Sequence, residues 1–173
     1  RGTVECITSV FDSIPDSLNF GLMGYPVVPY AIKGLYCTYI LNFSSGSLVN
    51  WFRKEILHNY SGEEGGVFSY LESRLGEKPS DILLLPHFAG AATPYQDTRA
   101  KGAILNLTLN ASDGDIYRAV LEGTSFEMRV NLDTVSDFGI EVKEAVATGG
   151  GSNSKAWLQI KSDITGISLY SLS

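Results

Sequence analysis

The stretch "ATGGGSNSKAWLQIKSDITG" at residues 147–166 has the pattern of a strand, a glycine turn and a helix that ends at Gly166. Such a turn presents free backbone N–H groups at the positive end of the helix dipole. Because glycine has no Cβ, a phosphate can approach the main chain closely. Gly149–Gly151, with Ser152 and Asn153 after them, therefore predict an anion or nucleotide cradle, with a plain tight turn as the alternative.

Two common glycine motifs do not match this turn. A P-loop needs a glycine directly before its lysine, whereas Lys155 follows Ser154. A dinucleotide fingerprint needs a glycine where Ser154 stands and an acidic residue at the end of the next strand, which lies beyond this sequence. The turn by itself therefore does not specify its ligand.

Composition limits the classes of partner. The 173 residues are 44% hydrophobic, enough for one well-buried domain. With 19 acidic and 13 basic side chains, a net charge of -6 and no cluster of Lys or Arg, the chain is not expected to bind nucleic acid. We find no signal peptide and no apolar run of membrane-spanning length, so we expect no membrane partner and a cytoplasmic protein. Cys6 and Cys37 are predicted to be buried, free thiols.

The rest of the pattern predicts three strands and then alternating helices and strands. This order is typical of one α/β domain with a mixed sheet flanked by helices. Ser45 or Ser47 is the candidate cap of the first helix, and a polar loop rich in Gly and Pro is predicted at 12–26. The predicted strands are 4–12, 27–32, 34–43, 81–90, 103–109, 144–151 and 167–171, and the predicted helices are 44–57, 63–76, 112–133 and 153–166.

The segment "GAILNLTLNASDGDIYRAVLEG" at 102–123 resembles the C-terminal signature of the FGGY carbohydrate kinases, a family that includes xylulokinases and glycerol kinases. The family pattern of an acidic residue followed by Ile-x-x-Ala-Val-Leu-Glu is matched from Asp115 to Glu122. Asn106 departs from the pattern, because the family usually has glycine there, and this departure puts the local strand geometry in question.

Four further segments resemble family motifs in the family's order. The opening "GT" at 2–3 resembles its phosphate hairpin, and "SSGSLVNWFRKE" at 44–55 resembles its glycine-containing turn before a helix. The loop at 83–102 resembles its Leu-Pro to Ala-x-Gly loop, and 147–166 resembles its adenosine-binding segment. The resemblance thus spans nearly the whole chain.

The resemblance implies an actin-like ATPase, or ribonuclease H-like, domain that binds ATP with Mg²⁺. Gly2 and Thr3 would face the β- and γ-phosphates, and Gly46 and Asn50 would border the nucleotide. The full set of implied nucleotide-binding residues is Gly2, Thr3, Gly46, Asn50, Gly149, Gly150, Gly151, Ser152, Asn153 and Ser154.

Within the glycine turn, the resemblance assigns different parts of the nucleotide to different residues. Gly149 and Gly150 would contact the α-phosphate and adenosine, and Ser154 would lie near the adenine. Glycerol-kinase-like members carry Asn at that last position, so Asn153 is a candidate substitute one residue earlier.

For the whole protein, the resemblance implies transfer of the γ-phosphate of ATP to a sugar or polyol hydroxyl. No catalytic residue is expected in this chain, because the family's base, an aspartate, lies upstream of the position of Arg1. We interpret residues 1–173 as a C-terminal nucleotide-binding domain truncated at both ends, inactive alone, with the sugar held by an N-terminal domain. The expected partners are ATP or ADP, the sugar and another copy of the chain.

The alternative to the kinase function is a non-catalytic, actin-like nucleotide-binding or regulatory module.

Several conspicuous polar residues are interpreted as structural. His87 is interpreted as a structural loop histidine, and Asp97 with Arg99 as an ion pair that fixes the same loop. Glu122 is expected to make a structural hydrogen bond within the signature helix. Glu5 is interpreted as a carboxylate on a strand face, with a place near Mg²⁺ as the alternative.

Overall fold

The computed structural model describes residues 4–15, 18–57, 60, 62 and 66–172. A π-helical turn at Phe52–Ile56 continues the helix Gly46–Trp51, and a 3₁₀ turn at Gly150–Asn153 precedes the helix Lys155–Thr165. The helices are α1 (Leu18–Leu22), α2 (Gly46–Trp51), α3 (Val67–Ser73), α4 (Asp113–Asp137) and α5 (Lys155–Thr165). The strands are β1 (Glu5–Phe11), β2 (Val28–Pro29), β3 (Tyr36–Asn42), β4 (Leu83–Leu85), β5 (Ala103–Leu105), β6 (Glu144–Ala147) and β7 (Ser168–Ser171).

The strands of the described residues pair in three sets rather than in one continuous sheet. β3 lies between β1 and β2 and is antiparallel to both, which confirms the predicted pairing of 27–32 with 34–43. β4 pairs antiparallel with β5, and β6 pairs parallel with β7 across α5. Antiparallel and parallel pairs, with helices between them, agree with the predicted mixed α/β class.

The two cysteines differ in burial, and both are free thiols. Cys6 on the edge strand β1 is exposed, so its predicted burial is wrong. Cys37 on the central strand β3 is buried, as predicted.

The predicted loop at 12–26 contains a short helix, α1, so this part of the prediction is wrong. Phe20 in α1 is 1% exposed, and its ring stacks on Tyr25 at a centroid distance of 5.1 Å. The Tyr25 hydroxyl donates a hydrogen bond of 2.7 Å to Asn131 Oδ1 on α4. Burial of these two rings against α4 thus outweighs the helix-breaking tendency of Gly21.

The strand predicted at 103–109 ends at Leu105 because the next residue leaves the extended conformation. Asn106 has a φ of +62°, and its Nδ2 donates to the carbonyl oxygen of Asp81 at 2.9 Å. Asparagine tolerates the left-handed region better than most residues with a Cβ. The replacement of the family's usual glycine by Asn106 therefore keeps a glycine-like backbone geometry.

Helix α4 is the central element of the core and runs to Asp137, four residues beyond the predicted end. Ser112 and Asp115 form a reciprocal capping box at its start, which confirms the predicted cap. Its first half packs in one apolar cluster with α2, α3 and α5, and its second half packs in another with α1 and β3. In the described part of the chain, no helix is both long and apolar enough to cross a membrane.

Candidate nucleotide site

The glycine turn joins β6 to α5 through one left-handed residue and one 3₁₀ turn. Gly149 has φ +83° and ψ -171°, a backbone conformation that residues with a Cβ rarely adopt. Ser152 Oγ donates to the Gly149 carbonyl oxygen at 2.7 Å and closes the turn. Ser154 is the N-cap of α5, and its Oγ accepts the backbone N–H of Trp157 at 3.1 Å. The strand, turn and helix predicted from this stretch are therefore confirmed.

The three glycines of the turn have different surroundings. A methyl group built on Gly149 or on Gly150 would meet no heavy atom within 4 Å. The same group on Gly151 would lie 3.1 Å from the ring of Trp157. Gly149 and Gly150 therefore leave their backbone open to an external group, whereas Gly151 packs closely against Trp157 of α5.

The polar residues of the turn differ in how far their side chains are used. The hydroxyls of Ser152 and Ser154 both make hydrogen bonds within the turn and the cap. Asn153 between them is exposed. The resemblance offers Ser154 and Asn153 for contact with the adenine, and of these two Asn153 is the more accessible.

The start of α2 is tied to the same core as the glycine turn. Asn50 Nδ2 donates to the carbonyl oxygen of Gly46 at 3.0 Å, so this side chain folds back along its own helix. Leu48 of α2 and Trp157 of α5 belong to one cluster of buried apolar residues. The helix that begins at Gly46 and the helix that follows the glycine turn therefore contribute to the same core. Gly2 and Thr3 lie outside the described residues.

One carboxylate connects three elements near these segments. Glu5, at the start of β1, pairs through Oε1 with Lys161 Nζ of α5. Its Oε2 accepts a hydrogen bond of 2.9 Å from the Ser45 hydroxyl, just before α2. Ser45 is the N-cap residue of α2, as predicted, but its side chain makes no capping hydrogen bond because it binds Glu5 instead.

The Glu5–Lys161 pair was not predicted from the sequence, although one signal for it exists. Lys161 stands four residues after Trp157, so both residues fall on one face of α5. A lysine on an apolar helix face needs a buried partner, because a charged amine is costly to bury alone. The identity of that partner, 156 residues away in the sequence, could be found only in the structure.

The other conspicuous polar residues make local contacts of the kind expected of structural residues. His87 Nε2 lies 3.2 Å from Glu127 Oε2, and both side chains are buried. Burial raises the pKa of Glu127, and the neighbouring His87 partly opposes that rise. Arg99 Nε lies 3.8 Å from Asp97 Oδ1, as expected for a local ion pair in the loop.

Glu122 likewise makes the structural contacts expected of it. Its carboxylate accepts hydrogen bonds from the backbone N–H of Ser80 and, at 2.7 Å, from Arg118 Nε. Glu122 therefore ties the signature helix to the segment that leads into β4.

Two surface hollows of the described structure lie away from the glycine turn. One is between residues 10–15 and residues 138–141, and the other is between residues 76–82 and the start of α4. Neither includes any residue of the glycine turn or of α2. Among the described residues, no three His, Cys, Asp or Glu side chains are grouped as metal ligands.

Comparison with known proteins identifies the family. The profile of the FGGY family of carbohydrate kinases, C-terminal domain, matches residues 24–172. The chain belongs to this family. A glycerol kinase of Brucella anthropi is 34% identical over 152 residues, which are 84% of this chain and 29% of that protein. A glycerol kinase of Lactobacillus delbrueckii subsp. bulgaricus is 33% identical over 140 residues, which are 80% of this chain and 26% of that protein.

Solved structures confirm the fold expected of an FGGY C-terminal domain. A xylulose kinase from Brucella ovis superposes with a TM-score of 0.85 at 24% identity, over 99% of this chain and 34% of that one. A Plasmodium falciparum glycerol kinase with ADP gives a TM-score of 0.80 at 23% identity, over 99% of this chain and 34% of that one. This FGGY chain therefore spans between a quarter and about a third of the length of these relatives.

Proposed function

We propose that the whole protein transfers the γ-phosphate of ATP to a hydroxyl of a sugar or polyol, and that this chain supplies the nucleotide-binding half. Membership of a kinase family supports the reaction class. The observation that carries the proposal is the uncovered backbone of Gly149 and Gly150 in the turn that precedes α5. A relative of the same fold with bound ADP supports a nucleotide as the ligand.

The nucleotide fits the glycine turn for electrostatic and steric reasons. The N-terminal end of α5 favours negative charge, and phosphate can reach the main chain of Gly149 and Gly150 without meeting a side chain. Gly46 and Asn50 would border the nucleotide at the start of α2, and Gly2 and Thr3 would approach its β- and γ-phosphates. Phosphoryl transfer depends mainly on positioning and charge neutralisation, which this set of backbone groups supplies in part.

The adenine contact is proposed for the residues that end the turn. Ser154 Oγ already accepts the N–H of Trp157, which leaves its hydroxyl hydrogen and one lone pair for a contact with the adenine. Asn153 is exposed, and its amide both donates and accepts. We therefore favour Asn153 as the residue that reads the base edge, with Ser154 as the cap that positions it.

Mg²⁺ would be held mainly by the nucleotide, because the described residues contain no group of three or more His, Cys, Asp or Glu side chains placed as metal ligands. Glu5, the carboxylate that the sequence placed near the metal as an alternative, is already bound to Lys161 and Ser45. Mg²⁺ is commonly held by substrate phosphates, waters and one or two carboxylates. When bound with the nucleotide, Mg²⁺ neutralises charge on the phosphates.

The catalytic base and the sugar site are proposed to lie outside residues 1–173. An aspartate upstream of the position of Arg1 would accept the proton of the sugar hydroxyl, and an N-terminal domain would hold the sugar. Closure of the two domains would exclude water from the transferred phosphoryl group. We propose a cytoplasmic location for the whole protein. We expect residues 1–173 alone to show no sugar phosphorylation, measured as sugar-dependent ADP release.

The nucleotide site can be tested by calorimetric titration of the chain with Mg-ADP and Mg-ATP. Gly150→Asp places bulk and negative charge where phosphate should approach, so we expect binding to be lost while the thermal unfolding temperature stays unchanged. Gly21→Asp is the matched control, because Gly21 is also exposed and has no heavy atom within 4 Å of an added methyl group.

Equal affinity of the wild type and Gly150→Asp would show that the nucleotide does not bind at this turn. Absence of binding by the wild type would show that residues 1–173 do not hold nucleotide without the rest of the protein. The same substitution in the whole protein, measured by sugar-dependent ADP release, would then distinguish a kinase from a non-catalytic module.

A further inference from the structure

The ion pair between Glu5 and Lys161 is not explained by stability alone. The Lys161 side chain is 9% exposed and that of Glu5 is 18% exposed, so the ion pair is largely removed from water. Lys161 Nζ also lies 4.2 Å from the ring centroid of Trp157, a cation–π contact. Replacing a buried ion pair by apolar residues of similar size is often neutral or stabilising, so stability alone is a weak reason for this arrangement.

Two of the elements joined by Glu5 each adjoin a described segment of the nucleotide site proposed above. Gly46 follows Ser45 directly at the start of α2. On the other side, Lys161 covers Trp157, whose ring lies against Gly151 in the glycine turn. A continuous series of contacts thus runs from the glycine turn through α5 to the starts of β1 and α2.

We propose that Glu5 and Lys161 are positioning residues that hold the glycine turn and the start of α2 at a fixed spacing for the nucleotide. The inference rests on the proposed function, because it assumes that the segments bind one nucleotide. Glu5 acts through Ser45 and Lys161 and touches no phosphate itself. Loss of the pair would let α5 and its glycine turn shift relative to α2, and the nucleotide would then have to restore the spacing at a cost in affinity.

A double variant separates positioning from stability. Glu5→Gln with Lys161→Met removes both charges, keeps similar volumes and leaves no buried charge unpaired, so we expect near wild-type thermal stability. If the pair positions the segments, calorimetry should give about tenfold weaker binding of Mg-ADP, the size expected of a modest coupling between packed elements. The single variant Lys161→Arg, with Glu5 unchanged, keeps a cation over Trp157 and against Glu5. It should therefore retain most of the wild-type affinity for Mg-ADP.

The matched control uses an exposed pair of the same chemistry. Lys143 Nζ lies 3.2 Å from Glu141 Oε2, and both side chains are well exposed. Glu141→Gln with Lys143→Met should leave Mg-ADP binding unchanged.

Three outcomes would overturn the inference. Wild-type affinity in the Glu5 and Lys161 double variant would show that the pair does not position the site. Two further results would assign the pair a purely structural role. One is an affinity of the double variant that falls only in proportion to its lost stability, and the other is an affinity of Lys161→Arg as weak as that of the double variant. These results are distinguishable from failure of the proposed function, in which the wild type itself does not bind or Gly150→Asp binds as tightly as the wild type.

Discussion

The glycines of α4 and the glycines before α5 occupy opposite environments. A methyl group on Gly123 would lie 2.4 Å from the carbonyl oxygen of Leu84, and one on Gly114 would lie 2.2 Å from that of Arg74. A methyl group on Gly149 or Gly150 would touch nothing within 4 Å. In α4, glycine allows another backbone to pack against the helix; in the turn, it leaves backbone uncovered. Only the second arrangement leaves room for a ligand to approach the main chain.

The largest expected effect is at Gly123. Gly123→Ala brings a methyl group against the backbone of β4, which cannot move as a flexible side chain can, so we expect a loss of about 2–3 kcal/mol in the free energy of unfolding. The loss should appear although alanine alone favours a helix over glycine by about 1 kcal/mol. Urea denaturation measures it, and a loss below about 1 kcal/mol would contradict the claimed close approach.

An intermediate effect is expected from the caps of the two helices. The backbone N–H and the hydroxyl of Ser112 donate to Asp115 at 2.9 and 2.7 Å, and these bonds lower the pKa of Asp115. The charged carboxylate therefore stabilises the fold above its unfolded pKa of about 4, and this contribution is lost as pH falls through the lower folded value. At pH 7, Asp115→Asn should cost less than about 1 kcal/mol of unfolding free energy, since the group is exposed.

The matched comparison is a pH series of unfolding free energies. The difference between the wild type and Asp115→Asn should shrink as the pH is lowered below about 4. The cap of α5 has Trp157 at the equivalent position and no carboxylate, so Ser154→Ala should cost about 1 kcal/mol at every pH in the series. A cost for Asp115→Asn that does not change with pH would show that the capping box contributes nothing through its charge.

The smallest expected effect on stability is at Gly150. Gly150→Ala should change the unfolding free energy by less than about 0.5 kcal/mol, because the added methyl group meets no neighbour. Mg-ADP binding should nevertheless weaken, since the methyl group occupies space meant for phosphate. A large loss of stability would contradict the description of Gly150 as unpacked, and unchanged binding would contradict the proposed role of its backbone.

Most regular elements could be predicted because their signals are local. The capping box at Ser112, the glycine turn and the left-handed end of α5 at Gly166 are all encoded within a few residues. Helix α1 was missed because it depends on Phe20 and Tyr25 packing together and against α4. Such a contact is tertiary and leaves little trace in the pattern around it.

The candidate site was predictable to a similar degree. The sequence located the glycine turn, but it could not distinguish the open Gly149 and Gly150 from Gly151, which packs on Trp157. The Glu5–Lys161 pair joins the two ends of the chain, so no local pattern identifies both partners. Asn106 departs from the family pattern, yet its φ of +62° lies in the left-handed region that glycine adopts readily.

Helix α4 contributes to both apolar clusters, and this has a consequence for amide hydrogen exchange. Tyr117, Val120 and Leu121 belong to the first cluster, and Met128, Leu132 and Val135 belong to the second. Neither cluster can open fully while α4 stays folded against the other, so the two should not exchange as independent units. The amides in the middle of α4 should therefore exchange only through global unfolding and report the stability of the whole domain.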